Sequence, residues 1–285
     1  MKEKLKALAR RIVPVPLRGL IRKLRFKLKY GGHGVECPFC GGHFRKLMPE
    51  GCRVPVLKEK RVVGGGYRLN ATCPACRSSD RERLIYLYLK NKTSLLFGKA
   101  KILHVAPEPN LRKVLMARPN IDYVSADLNP RAAMVKMDIT AIQYEDNWFD
   151  VIICNHVLEH IPNDRQAMSE IYRVLKPGGW AILQVPISLA LSATYEDPNV
   201  RTPEDKERFF GQIDHVRIYA TDYKHRLESA GFIVEVCSSR STLSESEVSK
   251  YALLKDENIY VCSKPARSQA LPRTSAPRSE AFLTQ

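Results

Sequence analysis

From Ile102 onward, short apolar runs alternate with stretches in which apolar side chains recur every three or four positions. The first pattern predicts strands and the second helices. Ile102-Leu103-His104-Val105-Ala106 reads as a strand, followed by the turn Pro107-Glu108-Pro109-Asn110 and a helix through Leu111, Val114 and Leu115. Tyr123-Val124-Ser125-Ala126 is the next strand and ends on Asp127, and Val135-Lys136-Met137 leads to Asp138. Phe149 to Cys154 runs out at Asn155, a helix spans Asp164 to Leu175 and is ended by Lys176-Pro177-Gly178-Gly179, and Trp180 to Val185 is a further strand. Strands alternating with helices imply a parallel sheet with ligand groups at the strands' carboxyl ends. Asp127, Asp138 and Asn155 all fall at such ends.

The 285 residues suffice for one sizeable α/β core and something smaller. No run reaches the ~18 apolar residues needed to cross a bilayer, and the N-terminal apolar stretches are short and broken by charge. The expected location is therefore the cytoplasm. The net charge of +16 is uneven, because residues 1–30 hold six lysines and five arginines against one glutamate, a net +10. Pro14 and Pro16 divide this arm, and Leu17, Leu20, Ile21, Leu24 and Leu28 give its second half an apolar stripe between basic residues. Such a helix suits the inner, anionic face of a membrane. A basic tail, a helix packed on its own domain, and contact with RNA phosphates are the alternatives. Residues 265–285, rich in Ser, Pro, Ala and Arg, have little to bury and are expected to be disordered.

Eight cysteines in such a chain point to free thiols and a metal site rather than to disulfides. Cys37-Pro38-Phe39-Cys40 and Cys73-Pro74-Ala75-Cys76 are two C-x-x-C pairs with 32 residues between them. Each pair can set two thiolates on one tight turn, and two such turns supply the closed four-ligand set of structural Zn2+. Gly41-Gly42 allows the first turn its sharp backbone. Residues 53–57 and 60–63 read as short strands around the Gly64-Gly65-Gly66 turn, which makes residues 31–85 a zinc-ribbon-like module. Cys52 has no partner pair, and His33 and His43 are the nearest substitutes.

Two segments carry a resemblance to a known family. Phe149-Asp150-Val151-Ile152-Ile153-Cys154-Asn155-His156-Val157-Leu158-Glu159-His160-Ile161 and Ile171-Tyr172-Arg173-Val174-Leu175-Lys176-Pro177-Gly178-Gly179 resemble the class I S-adenosylmethionine-dependent methyltransferases of type 11. The cysteine module, Arg81-Glu82-Arg83-Leu84 and the Ala106-Pro107-Glu108 turn resemble a bacterial subgroup of that family. The resemblance runs from about Glu36 to Lys264, and residues 86–264 are assigned to the catalytic domain. It implies an α/β, Rossmann-like seven-stranded sheet with the last strand antiparallel, for which Phe232 to Cys237 and Asn258 to Cys262 supply the final strands.

The resemblance also implies roles. Asp127 is expected to accept hydrogen bonds from the two ribose hydroxyls of S-adenosylmethionine, Asp138 with the backbone of Ile139 to meet the adenine, and Asn155 to lie near the methionine part. The family's acid inside the first strand and the glycine-rich turn after it are replaced here by His104 and Ala106-Pro107-Glu108-Pro109-Asn110. Glu108 is therefore expected to supply the charge for the cofactor's ammonium group. If the acceptor is a hydroxyl, His215 and His160 are the candidate bases, and Arg217 and Tyr219 are candidate acceptor contacts in the segment after the fifth strand. The leading reading is methylation of a small, sugar- or lipid-linked acceptor near a membrane. An RNA methyltransferase gripping RNA with its ribbon and arm, and a non-catalytic zinc-ribbon adaptor, are the competing classes. Against RNA stands the lack of a basic stripe interleaved with aromatics in the catalytic half.

Overall fold

The structure, a computed structural model, describes residues 15–266. The first half of the basic arm and residues 267–285, almost all of the tail expected to be disordered, lie outside the described residues. Helix α1 (Val15–Tyr30) leads into the hairpin β1 (Gly31–Glu36) and β2 (His43–Phe44), and β3 (Met48–Glu50) pairs antiparallel with β5 (Arg68–Thr72). Between them lie α2 (Pro55–Glu59) and β4 (Val62–Val63). Helix α3 (Asp80–Lys92) then enters the main body, its first turn capped by the Ser79 hydroxyl, which accepts from the Glu82 N–H.

The body is a seven-stranded sheet. In chain order it contains β6 (Ala100–Val105), β7 (Ile121–Asp127), β8 (Val135–Lys136), β9 (Phe149–Asn155), β10 (Leu175–Gln184), β12 (Ile233–Ser238) and β13 (Asn258–Ser263). The spatial order is β12-β13-β10-β9-β6-β7-β8, and β13 runs antiparallel to both its neighbours while the other contacts are parallel. This is the α/β seven-stranded sheet with the last strand antiparallel that the resemblance implies. Its central strands are buried on both faces, as in Phe149–Asn155 and Ile102–Val105, so they read as continuous apolar runs rather than alternations. Helices α4 (Pro109–Met116), α5 (Asp164–Val174), α7 (Tyr223–Ser229), α8 (Ser239–Thr242) and α9 (Glu245–Lys250) complete the layers. In α5, Asn163 caps the Gln166 N–H, and Ala167, Met168, Ile171 and Val174 form the buried stripe.

Three local expectations are corrected. Residues 55–59 are helical rather than extended, with Pro55 in the first turn, where its missing N–H costs nothing. Their apolar side chains, Val56 and Leu57, pack with Phe210 of α6 (Pro203–Phe210) and Ile218. Val62–Val63 does form a strand, but it pairs with β11 (Ile187–Ser188), which comes after β10, and not with a neighbour in the ribbon. Finally, Lys176-Pro177-Gly178-Gly179 lies inside β10, which begins directly after α5. Gly178 at φ 81° accommodates a bulge between Leu175 and Trp180.

Candidate active site

The strand order reverses direction between β6 and β9, so their carboxyl ends open a crevice. Both strands leave the sheet through a residue in the left-handed region, Ala106 at φ 46° and His156 at φ 53°. Such a conformation costs a residue with a side chain about 1–3 kcal/mol and marks functional turns. Ala106 keeps the strand-to-helix turn that glycine usually provides, with no more than a methyl side chain.

His104 is fully buried in β6, and its Nε2 lies 2.8 Å from Glu108 Oε2 while its Nδ1 lies 2.9 Å from the Tyr123 hydroxyl. Glu108 Oε1 accepts from Asn155 Nδ2 at 3.1 Å. Burial pushes the Glu108 carboxyl up, but the His104 hydrogen bond and charge, aided by Arg81, more than offset this and hold it below its ordinary value. An ionised carboxylate therefore sits at the crevice mouth, with the Asn155 Oδ1 beside it buried and unpartnered. On the far side of Ala106, a cavity is lined by Asp127, Asp138 and Ile139 together with Val105, Val157 and Ile161. Asp127 Oδ1 accepts from the Asn129 N–H, and Asp138 Oδ1 accepts from the Thr140 N–H and hydroxyl, which hold its carboxyl below the usual range. Each of these acids thus closes a turn with one oxygen and keeps the other.

Next to this crevice lies a cluster of buried polar side chains, called the chamber. The buried side-chain atoms without a hydrogen-bond partner belong to Arg81, Asn155, His156, Glu159, Gln184 and Glu257 among the described residues. They are contiguous. Asn155 and Gln184 are neighbours across β9 and β10, Gln184 Nε2 donates to Glu257 at 2.6 Å, and His156 Nδ1 is 3.3 Å from Glu159. A Cβ on Gly64 would stand 3.1 Å from the Glu257 carboxylate and 3.4 Å from the His156 ring, so the glycine turn of the N-terminal module covers the chamber. Burial pushes Glu159 up to about 8 and Glu257 up to about 7, and holds His156 well below the histidine range.

The acceptor-side candidates divide. His160 and His215 meet edge to face at 4.6 Å between ring centroids, beside Glu159. His215 is buried, which together with the His160 charge lowers it to about 4. Arg217 and Tyr219 are not brought to the crevice. Arg217 is 3% exposed and donates to Glu196 and to the carbonyls of Leu158, Ile161 and Pro162. Tyr219, wholly buried, donates to Asp164. Both side chains clamp the segment after β9 onto the segment after β11.

In the N-terminal module, Cys37, Cys40, Cys73 and Cys76 converge, with all four sulfurs within 4.8 Å of one another. Cys37 and Cys76 are 3.5 Å apart and Cys40 and Cys73 are 3.8 Å apart. A tetrahedron with Zn–S bonds of about 2.3 Å has edges of about 3.8 Å, so the spacing fits a zinc ion. The two turns match, since the N–H of Gly41 bonds the Cys37 carbonyl and that of Arg77 bonds the Cys73 carbonyl, both donors being left-handed. Cys52, His33 and His43 are not in the cluster.

Three charged residues just after the second cysteine pair have roles that sequence reasoning missed. Glu82 accepts from the N–H groups of Asn110 and Leu111, so it caps α4 beside the Glu108 turn. Arg83 is fully buried and donates to the carbonyls of Ala71, Ser78, Tyr251 and Ala252. Arg81 reaches the chamber, where its Nε is among the buried atoms without a partner. These consecutive charges tie the cysteine module to the crevice, a division of labour that neither helical period nor charge pattern reveals.

Residues 96–183 match the family described as methyltransferase domain. A sterol 4-C-methyltransferase, strm-1, of Caenorhabditis elegans is 36% identical over 83 residues, covering 29% of this chain and 23% of that protein. An arsenite methyltransferase of Aquipseudomonas alcaligenes is 29% identical over 126 residues, covering 42% and 34% respectively. A solved S-adenosylmethionine-dependent methyltransferase of Archaeoglobus fulgidus is 17% identical, with a TM-score of 0.42 and coverage of 66% of this chain and 96% of that one. The chain spans 23 to 41% of the length of the first curated relatives it matches.

Proposed function

We propose that this chain, whose residues 96–183 carry a methyltransferase domain, transfers a methyl group from S-adenosylmethionine to a small hydroxyl-bearing acceptor, of the sugar- or lipid-linked kind. The carrying observation is the set Glu108 and Asn155 in mutual contact, with Asp127, Asp138 and Ile139 lining the cavity that Ala106 also lines, at the point where the sheet order reverses. These residues fit the cofactor. Glu108 is an anion for an ammonium group, Asn155 Oδ1 is a buried acceptor without a donor, and Asp127 and Asp138 each keep a free oxygen. S-adenosylmethionine, when bound, supplies a methyl group on a sulfonium whose departure needs no protonation. The chain's part is to position the acceptor and exclude water. Most of the unpartnered atoms of the chamber are side-chain oxygens of Asn155, Glu159, Gln184 and Glu257, which supports a ligand that carries hydroxyl groups.

Calorimetric titration tests the reading. The full chain should bind S-adenosylmethionine and S-adenosylhomocysteine, and Asp127→Asn, which keeps the turn to Asn129, should weaken both by about ten-fold, the strength of one charged hydrogen bond. Wild-type protein that binds neither would favour the non-catalytic adaptor.

The arm bears on where this happens. No described helix is long and apolar enough to cross a membrane. In α1, Phe26 lies near the Phe44 ring, whereas Leu24 and Leu28 are exposed among lysines and Arg25. That exposed apolar and basic face supports peripheral contact with an anionic bilayer.

A further inference from the structure

We propose that Glu159, His160 and His215 form a second metal site that binds a divalent transition-metal ion through two imidazole nitrogens and one carboxylate oxygen. One ligand atom from each lies within 4.8 Å of the others. Bonds of about 2.0–2.2 Å to nitrogen and oxygen need separations of about 3.4 Å in a tetrahedron, so side-chain rotations closing about an ångström or so complete the site.

Three features of the surroundings are those of a metal centre. Metal-bound histidines have their second ring nitrogen fixed by an outer acceptor. His160 Nδ1 lies 3.1 Å from Asp214 Oδ2. One nitrogen of His160 thus faces an acid, and the His160 and His215 rings meet edge to face at 4.6 Å. Glu159 is 2% exposed, both its carboxylate oxygens lack a hydrogen bond, His156 Nδ1 lies 3.3 Å from one of them, and no Lys or Arg nitrogen lies within 4.0 Å among the described residues. A buried acid left without partners is costly, and a bound cation would supply the missing partner. The site is also rigid across its two segments. The Val216 N–H donates to the Glu159 carbonyl at 2.9 Å, and Arg217 bonds three carbonyls between Leu158 and Pro162. The clamp holds the Glu159-His160 segment against the segment carrying His215 before any metal arrives.

Two nitrogens and one oxygen suit Zn2+, Co2+ or Mn2+, whereas the four thiolates of the N-terminal module are a soft, closed set. Three protein ligands leave positions open. Glu159 comes just after Asn155 and His156 at the mouth of β9, beside the buried polar cluster. A bound cation there would polarise a hydroxyl oxygen of the acceptor and lower its pKa. That role rests on the methyl-transfer reading, but the metal site itself does not.

The test uses the full chain with its four-cysteine site already filled by zinc, titrated with Co2+. One further equivalent should bind, with weak ligand-field absorption and without the intense thiolate-to-cobalt charge-transfer band. His160→Ala, at a part-exposed position that a folded protein tolerates, and His215→Ala should each abolish that equivalent while zinc content stays at one. Asp214→Asn should weaken it about 10- to 100-fold, as expected for the group that orients a ligating histidine, and His225→Ala should change nothing. The proposal is overturned if no second equivalent binds. It is equally overturned if Co2+ binding survives both His160→Ala and His215→Ala, or is lost only with His33→Ala. Because the readout is metal binding, its failure leaves the cofactor titration free to succeed.

Discussion

Arg83→Met should destabilise the protein by about 3 kcal/mol. Two effects oppose each other. Removing the guanidinium relieves the desolvation of a cation with no exposed surface, whose pKa burial already lowers. It also strands carbonyls. Ser78 O retains the Cys73 N–H, but Tyr251 O and Ala252 O receive no other turn or loop bond among the described residues. An unpaired buried carbonyl costs about 1–3 kcal/mol, and since these two belong to half-buried residues they cost together about 2–4 kcal/mol. The relief is smaller than for an ion pair, because Met fills the space with apolar atoms but cannot reach four oxygens on three segments. At about 2–4 °C per kcal/mol for a chain of this size, the net loss lowers the Tm by about 6–12 °C. Thermal unfolding monitored by circular dichroism measures this, with zinc content as a second readout, since Ala71 and Ser78 flank the second cysteine pair. Arg83→Lys should fall between, keeping the charge without the fork. A Tm for Arg83→Met within about 2 °C of wild type would refute the view that this arginine staples the module to the C-terminal segment.

Glu257 gives the fold a pH dependence. Burial raises it to about 7 from an ordinary 4.5, so between those values the folded state holds more protons than the unfolded one. Its contribution is full below about pH 4.5, falls as pH rises and is gone above about 7, a loss of about 3 kcal/mol. Urea midpoints at pH 5 and pH 8 should therefore differ less in Glu257→Gln than in wild type, and equal differences would reject the assignment. Cys73→Ser should lose the zinc of the four-cysteine cluster and much of the module's stability, read by metal analysis of purified protein. Full zinc retention would show that Cys73 is not a ligand. Deleting residues 1–30 should abolish co-sedimentation with anionic vesicles while leaving S-adenosylmethionine affinity unchanged, and equal sedimentation would exclude the arm as the anchor.

Features encoded in local order are legible in the chain itself. The strand ends at Asp127, Asp138 and Asn155 are set by where apolar runs stop, and the cysteine quartet by two turns that each place two sulfurs. The contact between His104 and Glu108 is legible because an acid lies four residues after a histidine that stands where an acid is expected. Side chains whose partners are far along the chain are not legible. Arg217 and Tyr219 read as acceptor contacts because their segment comes after a strand, yet tertiary packing engages them with carbonyls and an acid some 55 to 60 residues earlier. The 55–59 helix and the pairing of Val62–Val63 with Ile187–Ser188 depend on surfaces supplied by α6 and β11, which a five-residue window does not contain. Local sequence sets the period and the turn, whereas the partner of a buried polar group is chosen only when distant segments close around it, because only then does leaving it unpaired cost energy.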